Sequence, residues 1–196
     1  MGDDSEYTDD TSGFLTGHLL IATPAIQESC FARSVIYLCA HNEAGAMGVI
    51  INYPVQDLNL KEIFQQLDIS ADKQMRDLPI HFGGPVESNR GFIVHSADDC
   101  QTEEALIRKN GVAVTSSINV LQALAVGKGP AKGMLVLGYA GWSAGQLEAE
   151  IESGSWIAVP ASKHLVLDTD NETKWNVAIS TLGIDMGHFS SDVGHA

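Results

Sequence analysis

Positive charge is scarce in this chain. Its 196 residues hold 11 lysines and arginines against 25 aspartates and glutamates, for a net charge of −14. Affinity for nucleic acid is built from cations that neutralise phosphates. The basic residues here form no cluster, so direct DNA or RNA binding is disfavoured. Cysteine is also sparse. Cys30, Cys39 and Cys100 form no CxxC pair, which excludes a four-cysteine zinc site and a disulfide framework and predicts reduced, buried thiols. No apolar run approaches the roughly 18 residues of a membrane-spanning helix. The first ten residues carry Asp3, Asp4, Glu6, Asp9 and Asp10 and no base, the reverse of a secretory leader. A protein outside the membrane and in the cytoplasm is expected.

What the chain does have is enough apolar material for one core, at 44%. Residues 1–12 have charge without hydrophobic periodicity and predict a disordered acidic tail. Residues 13–196 contain no linker long enough to divide them and predict one domain.

Apolar runs at 14–22, 34–40, 46–52, 78–82, 90–95, 112–115, 134–139, 156–159 and 164–167 predict strands. The second and third, joined by Asn42-Glu43-Ala44-Gly45, predict a hairpin central in a sheet. Residues 98–110 read as surface, and Thr23-Pro24 as the start of a short helical turn. Leu60, Ile63, Phe64 and Leu67 have helical spacing, behind a capping box of Asn59 and Glu62. Ser116 or Ser117 caps a helix that ends at Gly127. Trp175, Ala178, Ile179 and Leu182 form another helical stripe, with Thr169 and Glu172 as its box and Gly183 as its stop. Successive strands with interspersed helices predict an α+β fold, with a mixed, largely antiparallel sheet.

The most specified stretch is Met134 to Trp156. Gly141-Trp142-Ser143-Ala144-Gly145 matches the G-x-S-x-G nucleophile elbow, with strand before and helix after. A hydrolase would also need a histidine and an acid. His164, His188 or His195 with Asp168 or Asp185 are available, but no spacing singles them out. Ser143 with Gln146 also matches a capping box, which makes the serine a helix cap. The following helix would turn Leu147 and Ile151 inward and Glu148, Glu150 and Glu152 to solvent. Gly138, Gly141 and Gly145 offer amides for an anion at a helix start or, more economically, a tightly packed turn. Arg33 and Arg90 open apolar strands, as an anion-binding pair or as structural ion pairs. His41, His81 and His95 at strand ends read as structural, so no metal and no cofactor is implied. Tyr139, Trp142 and Trp156 suit a core or a ligand groove.

The segments Leu15–Pro24 (LTGHLLIATP), Phe31–Cys39 (FARSVIYLC), His41–Asn52 (HNEAGAMGVIIN), Gly83–Val86 (GGPV), Arg90–His95 (RGFIVH), Leu137–Glu148 (LGYAGWSAGQLE) and the terminal Gly194-His195-Ala196 occur in this order. Together they resemble the AlgH/YqgE family of uncharacterised bacterial proteins. The resemblance implies a single α+β domain with a curved, barrel-like sheet packed by helices, and a role in transcriptional regulation proposed for the family. It carries no established catalytic residues. Family members often lack the serine of the 141–145 turn, which commonly reads GWG. Tyr53 stands where the family usually has arginine.

These readings converge on an AlgH-like regulatory or ligand-binding protein. It would act on transcription indirectly, through a protein or small-molecule partner. The ligand-binding candidates are Arg33, Asn52, Arg90, Tyr139 and Trp142. The alternative is a hydrolase using Ser143, or an anion-binding enzyme at the 138–146 turn.

Overall fold

The computed structural model describes residues 13–98 and 105–183. The acidic tail, Cys100, Asp185, His188 and the Gly194-His195-Ala196 terminus lie outside the described residues. The chain folds as α+β, with a single curled, half-barrel sheet packed by helices.

The strands are β1 (His18–Ala22), β2 (Val35–Asn42), β3 (Gly45–Ile50), β4 (Ile80–Phe82), β5 (Val86–Ser96), β6 (Ala105–Lys109), β7 (Val112–Thr115), β8 (Gly133–Ser143) and β9 (Trp156–Pro160). Their order is β6-β7-β5-β8-β3-β2-β1-β9, with β4 paired to β8. Among the described residues, only the β4–β8 pairing is parallel. The helices are α1 (Leu60–Gln66), α2 (Ile118–Ala125), α3 (Gln146–Glu152), α4 (Lys163–Leu167) and α5 (Asn171–Ser180).

β8 organises the sheet. Its first half, Gly133 to Leu137, lies between β4 and β5, and its second half, Ala140 to Ser143, pairs with β3. The two halves are joined where Gly138, with φ +75°, passes against the β4–β5 turn. A Cβ on Gly138 would sit 2.4 Å from Gly84 O, so only glycine lets the two backbones meet there. The curl brings the β6 end of the order back toward β1 and β2. Tyr37 Oη lies 3.5 Å from Lys109 O, and Asn110 Nδ2 donates to Gly17 O at 3.4 Å.

Period-two alternation distributes side chains to both faces. Leu19, Tyr37, Phe92, Val94, Val114 and Val136 fill the inside of the curl, closed by Leu165 and Val166 of α4 and Trp175, Ala178 and Ile179 of α5. On the outer face, α1 and α2 cover β4, β5 and the start of β8 through Leu60, Phe64, Val120 and Leu124. α3 covers the end of β8 through Leu147. Burial on both faces explains why β1, β2 and β3 read as unbroken apolar runs.

The β2–β3 hairpin is central, as predicted, with Glu43-Ala44 between the paired Asn42 and Gly45. α1 has the predicted box, and Ser117 caps α2. Several boundaries need correction. Residues 164–167 form α4, not a strand, because Ser162 Oγ accepts from Leu165 N and starts a helix. A four-residue apolar run does not distinguish the two by pattern alone. Asp170, not Thr169, occupies the N-cap of α5, and Thr169 instead donates to His164 O. Thr23 holds only a turn, through Ala25 N on its hydroxyl. β6 was hidden in the mixed polar segment, and β8 runs on to Ser143. None of the helices among the described residues is long and apolar enough to cross a membrane.

Candidate functional site: an aromatic cleft closed by Glu150

The end of β8, the start of β9, α3 and the loop after β1 enclose a cleft of about 390 Å³. Ala140 and Trp142 project from β8, and Trp156 opens β9. Ala25, Ile26, Gln27, Glu28 and Phe31 form the far wall, and Gln146 and Glu150 come from α3. The rings are fixed by one another. Trp142 meets Trp156 edge-to-face, with centroids 5.9 Å apart at 82°, and Phe31 meets Trp156 at 5.9 Å and 81°.

One carboxylate locks both indoles. Trp142 Nε1 and Trp156 Nε1 each donate to Glu150 Oε2 at 2.8 Å. Gln146 Nε2 donates to Glu150 Oε1 at 2.9 Å, one helical turn away on the same face of α3. Gln146 Oε1 in turn accepts from Ser143 N at 3.0 Å and Ser143 Oγ at 3.1 Å. A connected path therefore runs from the end of β8 through Gln146 to Glu150 and back to both tryptophans.

This corrects the expected helix cap. Gly145, with φ +73°, stands at the N-cap of α3 and contributes no side-chain bond. Gln146 does reach back to the Ser143 amide, but the serine hydroxyl donates to Gln146 instead of accepting from the helix. Ser143 itself belongs to β8, opposite Gly45, so it sits in extended strand and not in the sharp turn that an elbow requires.

Of the three acids expected at solvent, Glu148 and Glu152 are exposed, and Glu150 departs from that expectation. Glu150 is half-buried beneath the tryptophans. Glu148 Oε1 is 2.9 Å from Nε2 of His41, a residue only 6% exposed. Leu15 N donates to His41 Nδ1, which assigns the ring proton to Nε2, facing Glu148. Hydrogen bonds from Glu148's own amide first, and then from His41, hold its carboxyl below the usual range.

The other candidates lie elsewhere. Arg33, with φ +61°, stacks its guanidinium 4.4 Å from the Trp175 ring centre and donates to Asn176 Oδ1. Asn52 is brought to Arg33, but through its backbone: Nδ2 donates to Arg33 O at 3.0 Å, and Oδ1 accepts from Val35 N at 2.8 Å. Arg90 pairs with Glu87 at 3.0 Å, in the bulge between Val86 and Gly91, and lies over Phe92. Tyr139 packs edge-on to Phe92. Of the five ligand-binding candidates, only Trp142 lines the cleft. Among the described residues, no three His, Cys, Asp or Glu side chains gather as metal ligands.

A second polar cluster lies inside the curl. Lys174 is 1% exposed, and its Nζ donates to Val166 O at 2.7 Å. Burial pushes its pKa down to about 8, against an opposing pull from Asp170. Near it, His81 Nε2 is 3.1 Å from Asn171 Oδ1. Burial lowers the His81 pKa, partly offset by Asn171, and Lys174 lowers it further.

The α+β curl and the AlgH-type segments on β1–β3 and β8 define the class of protein. Residues 19–187 match the model of the AlgH-like family, and the chain belongs to that family. It is 45% identical over 190 residues to a UPF0301 protein of Methylocella silvestris, covering 93% of this chain and 92% of that one. Its fold matches the solution structure of the AlgH protein from Pseudomonas aeruginosa with a TM-score of 0.75 and 38% identity, over 95% of this chain and 98% of that chain. A crystal structure of a Corynebacterium diphtheriae protein shares the fold at TM-score 0.68 and 21% identity, over 90% of this chain and 92% of that one.

Proposed function

We propose that this AlgH-like protein is a non-catalytic, cytoplasmic regulatory protein whose small-molecule ligand occupies the Trp142–Trp156 cleft. Its effect on transcription would be indirect, passed to a protein partner. One observation carries the reading: a cleft of ligand-accommodating size whose aromatic walls are held rigid by a carboxylate bonded to both. Prepaid rigidity of this kind favours binding, because less ordering remains to be done on association.

The hydrolase reading draws less support. The Ser143 hydroxyl is engaged by Gln146, an amide that cannot act as a base. The anion reading meets two carboxylates, Glu28 and Glu150, and, among the described residues, no lysine, arginine or histidine in the cleft wall. Direct nucleic-acid binding remains disfavoured by the net charge of −14.

The test is a proton–nitrogen NMR screen of the full chain against small cationic, neutral and anionic compounds, beside fluorophosphonate labelling of wild type and Ser143→Ala. The reading predicts at least one class that shifts the Trp142 and Trp156 indole N–H signals without being consumed, and no labelling that depends on Ser143. Turnover lost on Ser143→Ala, or a cleft that no class perturbs, would overturn it.

A further inference from the structure

The chemistry of the cleft wall goes beyond the presence of a ligand to its charge. The inference rests on the reading of the cleft as a binding site. Among the described residues, every hydrogen-bond donor that reaches the Glu150 carboxylate is neutral: two indoles and one primary amide. They orient the carboxylate but do not cancel its charge. Among the described residues, neither Glu150 nor Glu28 has a cationic partner. A half-buried carboxylate without a counter-ion is costly, and a cation beside it recovers part of that cost.

Oε2 is filled by the two indole protons, whereas among the described residues Oε1 accepts only from Gln146. A carboxylate oxygen has two acceptor sites, so Oε1 keeps one for an incoming N–H. Phe31, Trp142 and Trp156 line the same cleft and offer apolar surface to an alkyl chain. Glu28, exposed at the opposite rim, adds a second negative charge on the approach. The surplus of acids over the whole molecule favours the same sign of ligand at longer range.

The geometry points to a small alkylammonium compound as the occupant of this cleft. Its ammonium would donate to Glu150 Oε1, and its chain would lie against Trp142, Trp156 and Phe31.

The test titrates the full chain with n-butylammonium, its neutral isostere n-butanol and the anion butanoate, following the two indole N–H signals. Glu28→Gln and Glu150→Gln are titrated in parallel. Glutamine at position 150 keeps an oxygen for the indoles, and Glu28 is exposed, so the Glu28→Gln variant does not depend on surviving a core change. The expected result is saturable binding of n-butylammonium that weakens with salt, about tenfold tighter than n-butanol because of the charge-assisted hydrogen bond. Glu150→Gln should weaken it by about tenfold and Glu28→Gln by about two- to threefold. Equal binding of n-butanol, or butylammonium affinity unchanged in both variants, overturns the inference. If butanol or butanoate occupies the cleft and butylammonium does not, the cleft remains a binding site and its assigned charge is wrong. If none of the three moves the indoles, the alkylammonium assignment falls, while a broader screen that finds another occupant would still uphold the cleft.

Discussion

Trp142 and Trp156 are 14 positions apart in the chain, yet they donate their indole protons to the same oxygen of Glu150, each at 2.8 Å. Neither ring is free to rotate without breaking that bond and its edge-to-face contact with the other. The end of β8, the body of α3 and the start of β9 are therefore tied at a single atom.

Removing that atom should be costly. Glu150→Ala leaves two largely buried indole donors unpaired and should cost roughly 2–4 kcal/mol, whereas Glu150→Gln retains an acceptor and should stay within about 1 kcal/mol. Urea denaturation followed by tryptophan fluorescence separates the two. Equal losses would mean that packing alone sets the rings.

Gly138→Ala should destabilise the sheet by about 2 kcal/mol or more, because the position combines a left-handed backbone with a close carbonyl. The comparison is Gly145→Ala, which shares the positive φ but has open space around it. A loss at Gly138 no larger than at Gly145 would remove the backbone-contact explanation for β8.

Lys174 predicts an unusual rise of stability on the alkaline side. Its folded pKa of about 8 lies below the ordinary 10.5, so between these values the unfolded chain binds a proton that the folded chain does not. Stability then increases with pH across that window, by roughly 3 kcal/mol in total, and the burial penalty is fully present below it. His81 and Asp170 are the titratable neighbours that shape this step. Lys174→Met should abolish the rise relative to wild type in denaturation curves collected from pH 7 to 10.5. Parallel pH profiles for the two proteins would contradict it.

Cys39 predicts the opposite slope. Burial raises its thiol from 9 to about 12, so the unfolded chain ionises first and stability falls as pH climbs through that interval. Cys39→Ala should flatten this decline while costing about 1–2 kcal/mol at neutral pH from the lost side chain. An unchanged alkaline decline would assign it to other groups, such as Tyr37, which burial also shifts upward.

Much of this fold was legible in the chain because its local signals agree with its tertiary structure. The Asn59–Glu62 box, the Ser117 cap and the turn between Asn42 and Gly45 each act within a few residues. The features without a local signal depend on distant partners. Residues 164–167 look strand-like until Ser162 is seen as their cap. Glu150 reads as a solvent-facing helix acid because its partners arrive from two strands. The i,i+4 spacing of Gln146 and Glu150, between two tryptophans, was the available signal for the site. Arg33, chosen for the scarcity of arginine, instead stacks on Trp175. That pairing joins residues too far apart in sequence for spacing to reveal.

The most direct measurement is a crystal structure of the full chain soaked in n-butylammonium. The account predicts the ammonium nitrogen within hydrogen-bond distance of Glu150 Oε1, with its chain against Trp142, Trp156 and Phe31. An empty cleft at saturating concentration, or the compound bound elsewhere with Glu150 unchanged, would contradict it.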